Sequence, residues 1–198
     1  MYTVSYAMAE NDTEITFNNI SWLSDKESSM DKLSDYIYPY FSVDYLDGGE
    51  GLFLRQDDEL FARPVKTNEY TDISTCISIN SIRKSIAGYN VKKIRLTFAN
   101  KGSESQLICV QIDLEGSQFD DLQTKLIKVY GAGETKESEE GLLTAFWNGL
   151  NNTCVLLYSV DGGESADLLY GRLDAEKVLD DCALFTPMNV DHDDISGL

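Results

Sequence analysis

The chain carries a single histidine, His192, in the acidic tetrapeptide Asp191-His192-Asp193-Asp194 near its C-terminal end. A Ser-His-Asp or Cys-His machinery would have to bring this end back to a distant nucleophile. As metal ligands, four consecutive residues rarely converge on one ion, so a solvated acidic end is the simpler reading. Carboxylates are plentiful elsewhere: Asp57-Asp58-Glu59, Asp120-Asp121, Glu139-Glu140 and Asp180-Asp181 could each contribute to general acid/base work. Glycoside hydrolysis, however, needs two carboxyl groups from different segments held about 5 to 9 Å apart, and neighbours in sequence do not supply that. Asp120-Asp121 also has a structural use at a helix N-terminus. Calcium would suit so acidic a chain, but Asp47-Gly48-Gly49-Glu50 and Asp161-Gly162-Gly163-Glu164 lack the ligand spacing of an EF-hand and read as hairpin tips. Gly131-Ala132-Gly133 follows a helix instead of joining a strand to one, which makes it a helix stop and not a phosphate loop. No catalytic, metal or cofactor-binding residue is assigned on these grounds.

The aromatic residues form the one suggestive cluster. Tyr36, Tyr38, Tyr40 and Tyr45 lie close together with Phe41, and tyrosine favours binding surfaces because it offers area with a polar tip. They are the candidate interaction surface, with packing of a helix end onto a sheet as the competing reading. Trp22 and Trp147 read as core anchors. Cys76, Cys109, Cys154 and Cys182 contain no CxxC pair, so neither a zinc ribbon nor a thioredoxin motif fits. Cys109 and Cys154 sit in apolar strands, where cysteine behaves as a small hydrophobe; in an oxidising compartment a Cys109–Cys154 bridge between neighbouring strands is the alternative.

With 34 acidic against 16 basic residues, the net charge of −18 repels a phosphate backbone and excludes nucleic acid as a natural partner. No apolar run approaches the roughly 20 residues of a membrane span. Ala7-Met8-Ala9 before Glu10 has the small-residue form of a signal-peptidase site, so export is expected, with a charged and apolar stretch upstream of it.

These residues must be positioned by both helices and strands. Ser24 with Glu27 and Ser117 with Asp120 read as capping boxes. The first opens a helix with Met30, Leu33 and Ile37 on one side, stopped by Pro39; the second opens one with Phe119, Leu122, Leu126 and Val129 facing the core, stopped at Gly131. A third helix is expected over 174–184, with Val178, Leu179 and Cys182 inward. Ile94, Leu96 and Phe98 alternate with Lys93, Arg95 and Thr97 in a half-buried strand, answered by 107–114 after an Asn100-Lys101-Gly102-Ser103 turn. Three strands follow at 143–147, 153–160 and 167–170. The fold expected is α+β: an antiparallel sheet with two or three helices packed on one face. The repeated Asp-Gly-Gly-Glu turn suggests two related helix-plus-hairpin units. The domain plan is an N-terminal segment (1–12), one globular unit (13–187) that could divide near 80–88, and an acidic tail (188–198).

Ile15-Thr16-Phe17-Asn18-Asn19-Ile20-Ser21-Trp22, leading into a capped helix, resembles the opening of small exported α+β domains of Gram-positive bacteria, where a strand runs into a Trp-Gly-Ser/Thr turn. The likeness continues in Phe119-Asp120-Asp121-Leu122, Tyr130-Gly131, Phe146-Trp147 and Asp167-Leu168-Leu169-Tyr170. More distantly the chain resembles the superfamily of β-lactamase-inhibitor proteins and small outer-membrane assembly lipoproteins. It departs at Leu23, where the pattern has glycine, and it lacks the glycine-rich turn after the first helix. The resemblance implies a non-catalytic binding or assembly module with a protein or cell-envelope partner, and no inhibitory residue transfers. An acidic calcium-binding protein and a carboxylate-dependent hydrolase are the alternatives.

Overall fold

The computed structural model describes residues 12–37, 44–46, 51–56, 62–66, 73–80, 82–138, 141–159 and 161–184, with the backbone alone at 44–46, 55–56 and 62–66. In chain order the elements are α1 (Lys26–Leu33), β1 (Asp44–Leu46), β2 (Leu52–Gln56), β3 (Ala62–Lys66), β4 (Ser74–Ile79), β5 (Ser85–Ile86), β6 (Tyr89–Lys101) and β7 (Glu104–Glu115). They continue with α2 (Phe119–Tyr130), β8 (Glu134–Glu137), β9 (Leu143–Asn148), β10 (Thr153–Ser159), β11 (Asp167–Arg172) and α3 (Ala175–Ala183). The fold is α+β, and its main sheet runs β1-β4-β6-β7-β11-β10-β9-β8, with β5 added beside β6. Every described pairing is antiparallel. The long β6–β7 hairpin forms its centre, and β8 to β11 fold as a meander whose last strand returns to pair with β7. β4, before residues 80–88, pairs with β6, after them, in one sheet.

Alternation along the strands divides the sheet's side chains between two cores. Ile94, Leu96, Phe98, Val110, Ile112, Val155, Leu157, Leu168 and Tyr170 face one side with Leu33 of α1 and Phe119, Leu122 and Leu126 of α2. Ala99, Cys109, Cys154, Leu156 and Leu169 face the other side with Phe53 and Leu54 of β2 and Ala175, Leu179 and Cys182 of α3. Two helices thus share one face, while the third joins the β2–β3 hairpin on the opposite face. This covering changes the reading of β6 as half-buried: Thr97 and Ala99, on the face expected to meet solvent, are buried. Bulges adjust the pleat. Ile108 is the extra residue between the Thr97–Cys109 and Phe98–Leu107 pairs, and it turns inward beside Cys109.

Local chemistry departs from expectation at both predicted capping boxes. Asp25, not Ser24, caps α1, accepting hydrogen bonds from Ser28 N at 2.7 Å and Ser28 Oγ at 3.0 Å. Aspartate is as good a cap as serine, and from position 25 it finds Ser28 three residues on. The helix ends at Leu33, so Ile37 leaves the helical face and bridges Ile82 instead; Pro39, expected to stop the helix, lies outside the described residues. At α2 the N-cap is Gln118 without a side-chain bond, because Ser117 is fully buried and exchanges hydrogen bonds with both backbone groups of Ala166. The first turn of α2 instead donates from Phe119 N to Gly163 O at 3.2 Å, docking the helix on the predicted Asp161–Glu164 hairpin tip. Asp47–Glu50, the other half of the suggested repeat, lies outside the described residues.

The Ile15–Trp22 segment is irregular, not a strand, yet it is anchored. Ile15, Phe17, Ile20 and Trp22 are buried, and Trp22 Nε1 donates to Ile15 O at 2.8 Å. Leu23 has φ of 61°, the left-handed conformation that glycine enters freely and that costs other residues about 1–2 kcal/mol. A physical reason therefore exists for glycine at this turn, and this chain carries leucine there.

Candidate binding groove beside α2

The helix α2 is built to bury one side, and Leu122 is fully buried on it, so truncating Leu122 to alanine should cost about 2–5 kcal/mol. Its last turns behave differently. Val129, predicted to face the sheet, is 69% exposed, and Ile127 is 43% exposed. Val129 comes one turn after Leu126 and lines a cavity of about 370 Å³. Ile86 and Ala87 of the β5–β6 turn line it opposite Leu122, Lys125, Leu126, Val129 and Tyr130 of α2, with Leu168 and Tyr170 of β11 contributed by the sheet.

A polar clamp sets the width of the groove at one end. Lys125 Nζ donates to Ala87 O at 2.7 Å and to Asp121 Oδ2 at 2.6 Å, and stands 4.6 Å from the centre of the Tyr89 ring. Tyr89 donates its hydroxyl to the same Asp121 oxygen. The bonds from Lys125 and Tyr89 hold the Asp121 carboxyl below its ordinary range, and Asp121 in turn raises the Tyr89 phenol. Asp121, in the first turn of α2, thus also ties the helix to the turn across the groove.

The tyrosines of the groove lead back to the predicted aromatic surface. Tyr130 and Tyr170 both line the groove, and the Tyr170 ring lies 5.6 Å from Phe17, which lies 5.8 Å from Tyr36. Tyr36 is thus packed on the core, with Lys84 Nζ 4.6 Å from its ring centre. Tyr38 and Tyr40 lie outside the described residues, and of Tyr45 only the backbone in β1 is described. Sequence reasoning missed Tyr130 and Tyr170. The available signal was their place in periodic elements: Tyr130 is the last residue of α2 before Gly131, and Tyr170 closes the expected 167–170 strand, which the structure extends to Arg172.

Carboxylates are brought together at a different place, on the opposite face. Asp113 of β7 and Asp167 of β11 are one register step beyond the Leu168–Ile112 pair. Asp113 receives Arg95 Nη2 at 2.9 Å on one oxygen and Gln111 Nε2 at 2.9 Å on the other. Asp167 accepts from Leu114 N at 2.9 Å, taking over where the backbone ladder ends. Burial pushes the Asp167 carboxyl up to about 6, with the Asp113 charge adding to the rise. Burial also raises the Tyr158 phenol, to which Gln111 Nε2 donates at 3.2 Å. One Asp113 oxygen ties β7 to β6 through Arg95 and the other holds Gln111 of β7 itself, so both are committed to the sheet.

The remaining sequence candidates separate. Asp161 spends its carboxylate on Ser159 Oγ, Ser165 N and Ser165 Oγ, which holds it down at about 2. Asp120 is exposed, and Asp181 stands 4.0 Å from Lys177. Asp57–Glu59, Glu139–Glu140 and His192 lie outside the described residues, and among the described residues no group of three His, Cys, Asp or Glu side chains is placed to hold a metal ion. No described helix is long and apolar enough to cross a membrane. All four cysteines are buried and free. The Cys109–Cys154 bridge is ruled out by topology, since both pair with Gly171 of the intervening β11. Two strand spacings, about 9.6 Å, exceed the roughly 7 Å limit for a disulfide.

Comparison with protein-family models, with characterised proteins and with solved structures finds no match for this chain.

Proposed function

We propose that the chain is a non-catalytic binding module that seats an apolar group of its partner in the groove between α2 and the β5–β6 turn. The observation that carries this reading is the groove itself: about 370 Å³ of concave space lined by Ile86, Leu122, Leu126, Val129, Leu168 and Tyr170, with Val129 69% exposed. Cavities of this size with apolar linings and few polar groups suit a small ligand or one anchoring group. A partner among proteins or envelope components outside the cell belongs to the same proposal. It is supported by the resemblance to exported binding domains and by the Ala7-Met8-Ala9 pattern.

The test is a fragment screen by heteronuclear NMR using small apolar aromatics. Binding should move backbone signals of Ile86, Ala87 and residues 122–130 in a saturable way, and the fragments should be recovered chemically unchanged. Saturable shifts elsewhere, or none at all, overturn the groove as the site. Consumption of a fragment would overturn the non-catalytic reading.

A further inference from the structure

The β5–β6 turn forms one wall of the groove, and its construction sets it apart from the other walls, α2 and β11. β5 is two residues long and pairs with β6 alone, through Ser85–Asn90 and Ile86–Tyr89. Between them Ala87 and Gly88 have φ of 53° and 87°, the two positive values that a two-residue type I′ turn requires. Glycine enters that region freely, whereas alanine is strained there and lacks the side chain with which asparagine tolerates it. Ala87 and Gly88 are exposed and Ile86 is half-buried. Among the described residues, the only hydrogen bond that reaches residues 85–88 from outside the hairpin runs from Lys125 Nζ to Ala87 O. Two further ties act one residue on, the Tyr89 hydroxyl on Asp121 and Lys125 Nζ against the Tyr89 ring. The side chains that make these ties are themselves open to solvent, Lys125 at 39% and Asp121 at 42%, so water replaces their bonds at little net cost. A short hairpin end under backbone strain is thus held against α2 at exposed polar points.

We propose that the β5–β6 turn is a strap latched over the groove: it lifts from α2 when Lys125 releases Ala87 O, while the sheet behind it stays folded, and it admits the occupant of the groove from that side. Lifting takes Ile86 and Ala87 out of the lining and relieves the left-handed alanine, which offsets part of the loss of the latch. The gating role rests on the groove being the binding site; the opening of the strap does not.

Amide hydrogen exchange by NMR on the full chain tests the opening, and stopped-flow binding of the apolar fluorescent probe N-phenyl-1-naphthylamine tests the gating. In the parent, the Ile86 and Tyr89 amides should exchange about a hundredfold faster than those of Leu96 and Val110 in the central ladder, because local opening costs less than global unfolding. Lys125→Met, which keeps the apolar stem and removes the donor, should speed exchange at Ile86 and Tyr89 about fivefold. Unchanged exchange at Leu96 and Val110 reports that this variant is folded. Ala87→Asn, which creates the Asn-Gly pair that a type I′ turn prefers, should slow exchange at Ile86 and Tyr89 about threefold. The probe should associate faster with Lys125→Met and more slowly with Ala87→Asn, in the same proportions. If Ile86 and Tyr89 exchange as slowly as the ladder, or neither variant moves them, the strap is fixed and the proposal falls. If exchange changes as expected while association rates do not, the gate is overturned. If the probe does not bind the parent saturably, the groove reading fails and the gate with it, while exchange at Ile86 and Tyr89 still decides whether the strap opens.

Discussion

Gly171 lies directly against Leu54, so that a Cβ placed on the glycine would stand 2.8 Å from Leu54 Cδ1 and 3.2 Å from its Cγ. Leu54 is fully buried and cannot swing away, and the contact joins the β2–β3 hairpin to the centre of the sheet. Gly171→Ala should therefore destabilise by about 1–3 kcal/mol, the usual cost of overpacking. Urea unfolding would measure it. An unchanged midpoint would mean that the hairpin is not seated on β11.

The same glycine separates Cys109 from Cys154, each of which pairs with it from one side. Burial raises both thiols, and the thiolate is the reactive form, so the native chain should react with a thiol reagent far more slowly than the unfolded one. Four thiols should titrate in denaturant, whether or not the protein has been purified under oxidising conditions. Recovery of only two thiols would reveal a disulfide, and mapping it to Cys109–Cys154 would require β11 to lie elsewhere.

The elements that were legible in sequence are those with one clear periodicity. Ile94, Leu96 and Phe98 announced β6, Phe119, Leu122 and Leu126 announced α2, and Gly131 marked where it stops. What periodicity does not show is whether the second face of a strand is covered. Arg95, Gln111 and Asp113 look like a solvent-facing row, and only the placement of α3 and β2 over that side turns part of it inward. The groove was hidden for a related reason. Val129 fits the apolar stripe of α2, and nothing in the spacing tells that it stays exposed beside a cavity.

Ser117 illustrates how a cap signal is diverted to tertiary use. Its hydroxyl donates to Ala166 O and accepts from Ala166 N, 49 residues away, in a fully buried setting. Ser117→Ala would leave two buried backbone groups without partners, so the expected loss is about 2–4 kcal/mol, more than the ~1 kcal/mol typical of a helix cap. Thermal unfolding of the variant distinguishes the two roles. A loss at or below the cap value would argue that the bond to Ala166 contributes little.

Asp167 gives a pH dependence whose sign is opposite to that of the other shifted carboxylates. Its carboxyl titrates at about 6 in the folded chain against 3.8 for an unperturbed aspartate, through burial first, with Asp113 raising it and Leu114 N–H, Lys92 and Arg95 opposing. Between these two values the folded state holds more protons than the unfolded state, so stability from this group falls as pH rises from about 4 to about 6. Above pH 6 both states are ionised and the cost is constant. Asp161, held at about 2, works the other way and loses its contribution as pH falls below about 4. Asp167→Asn keeps an oxygen that can accept from Leu114 N but removes the titration. The variant should therefore gain on the parent as pH is raised from 4 to 6, with a constant difference from pH 6 to 8, in urea unfolding at each pH. Carboxyl-carbon NMR should place the Asp167 midpoint near 6. A midpoint near 4 together with a pH-independent difference would show that the carboxyl is solvated, and that the ladder between β7 and β11 closes without burying it.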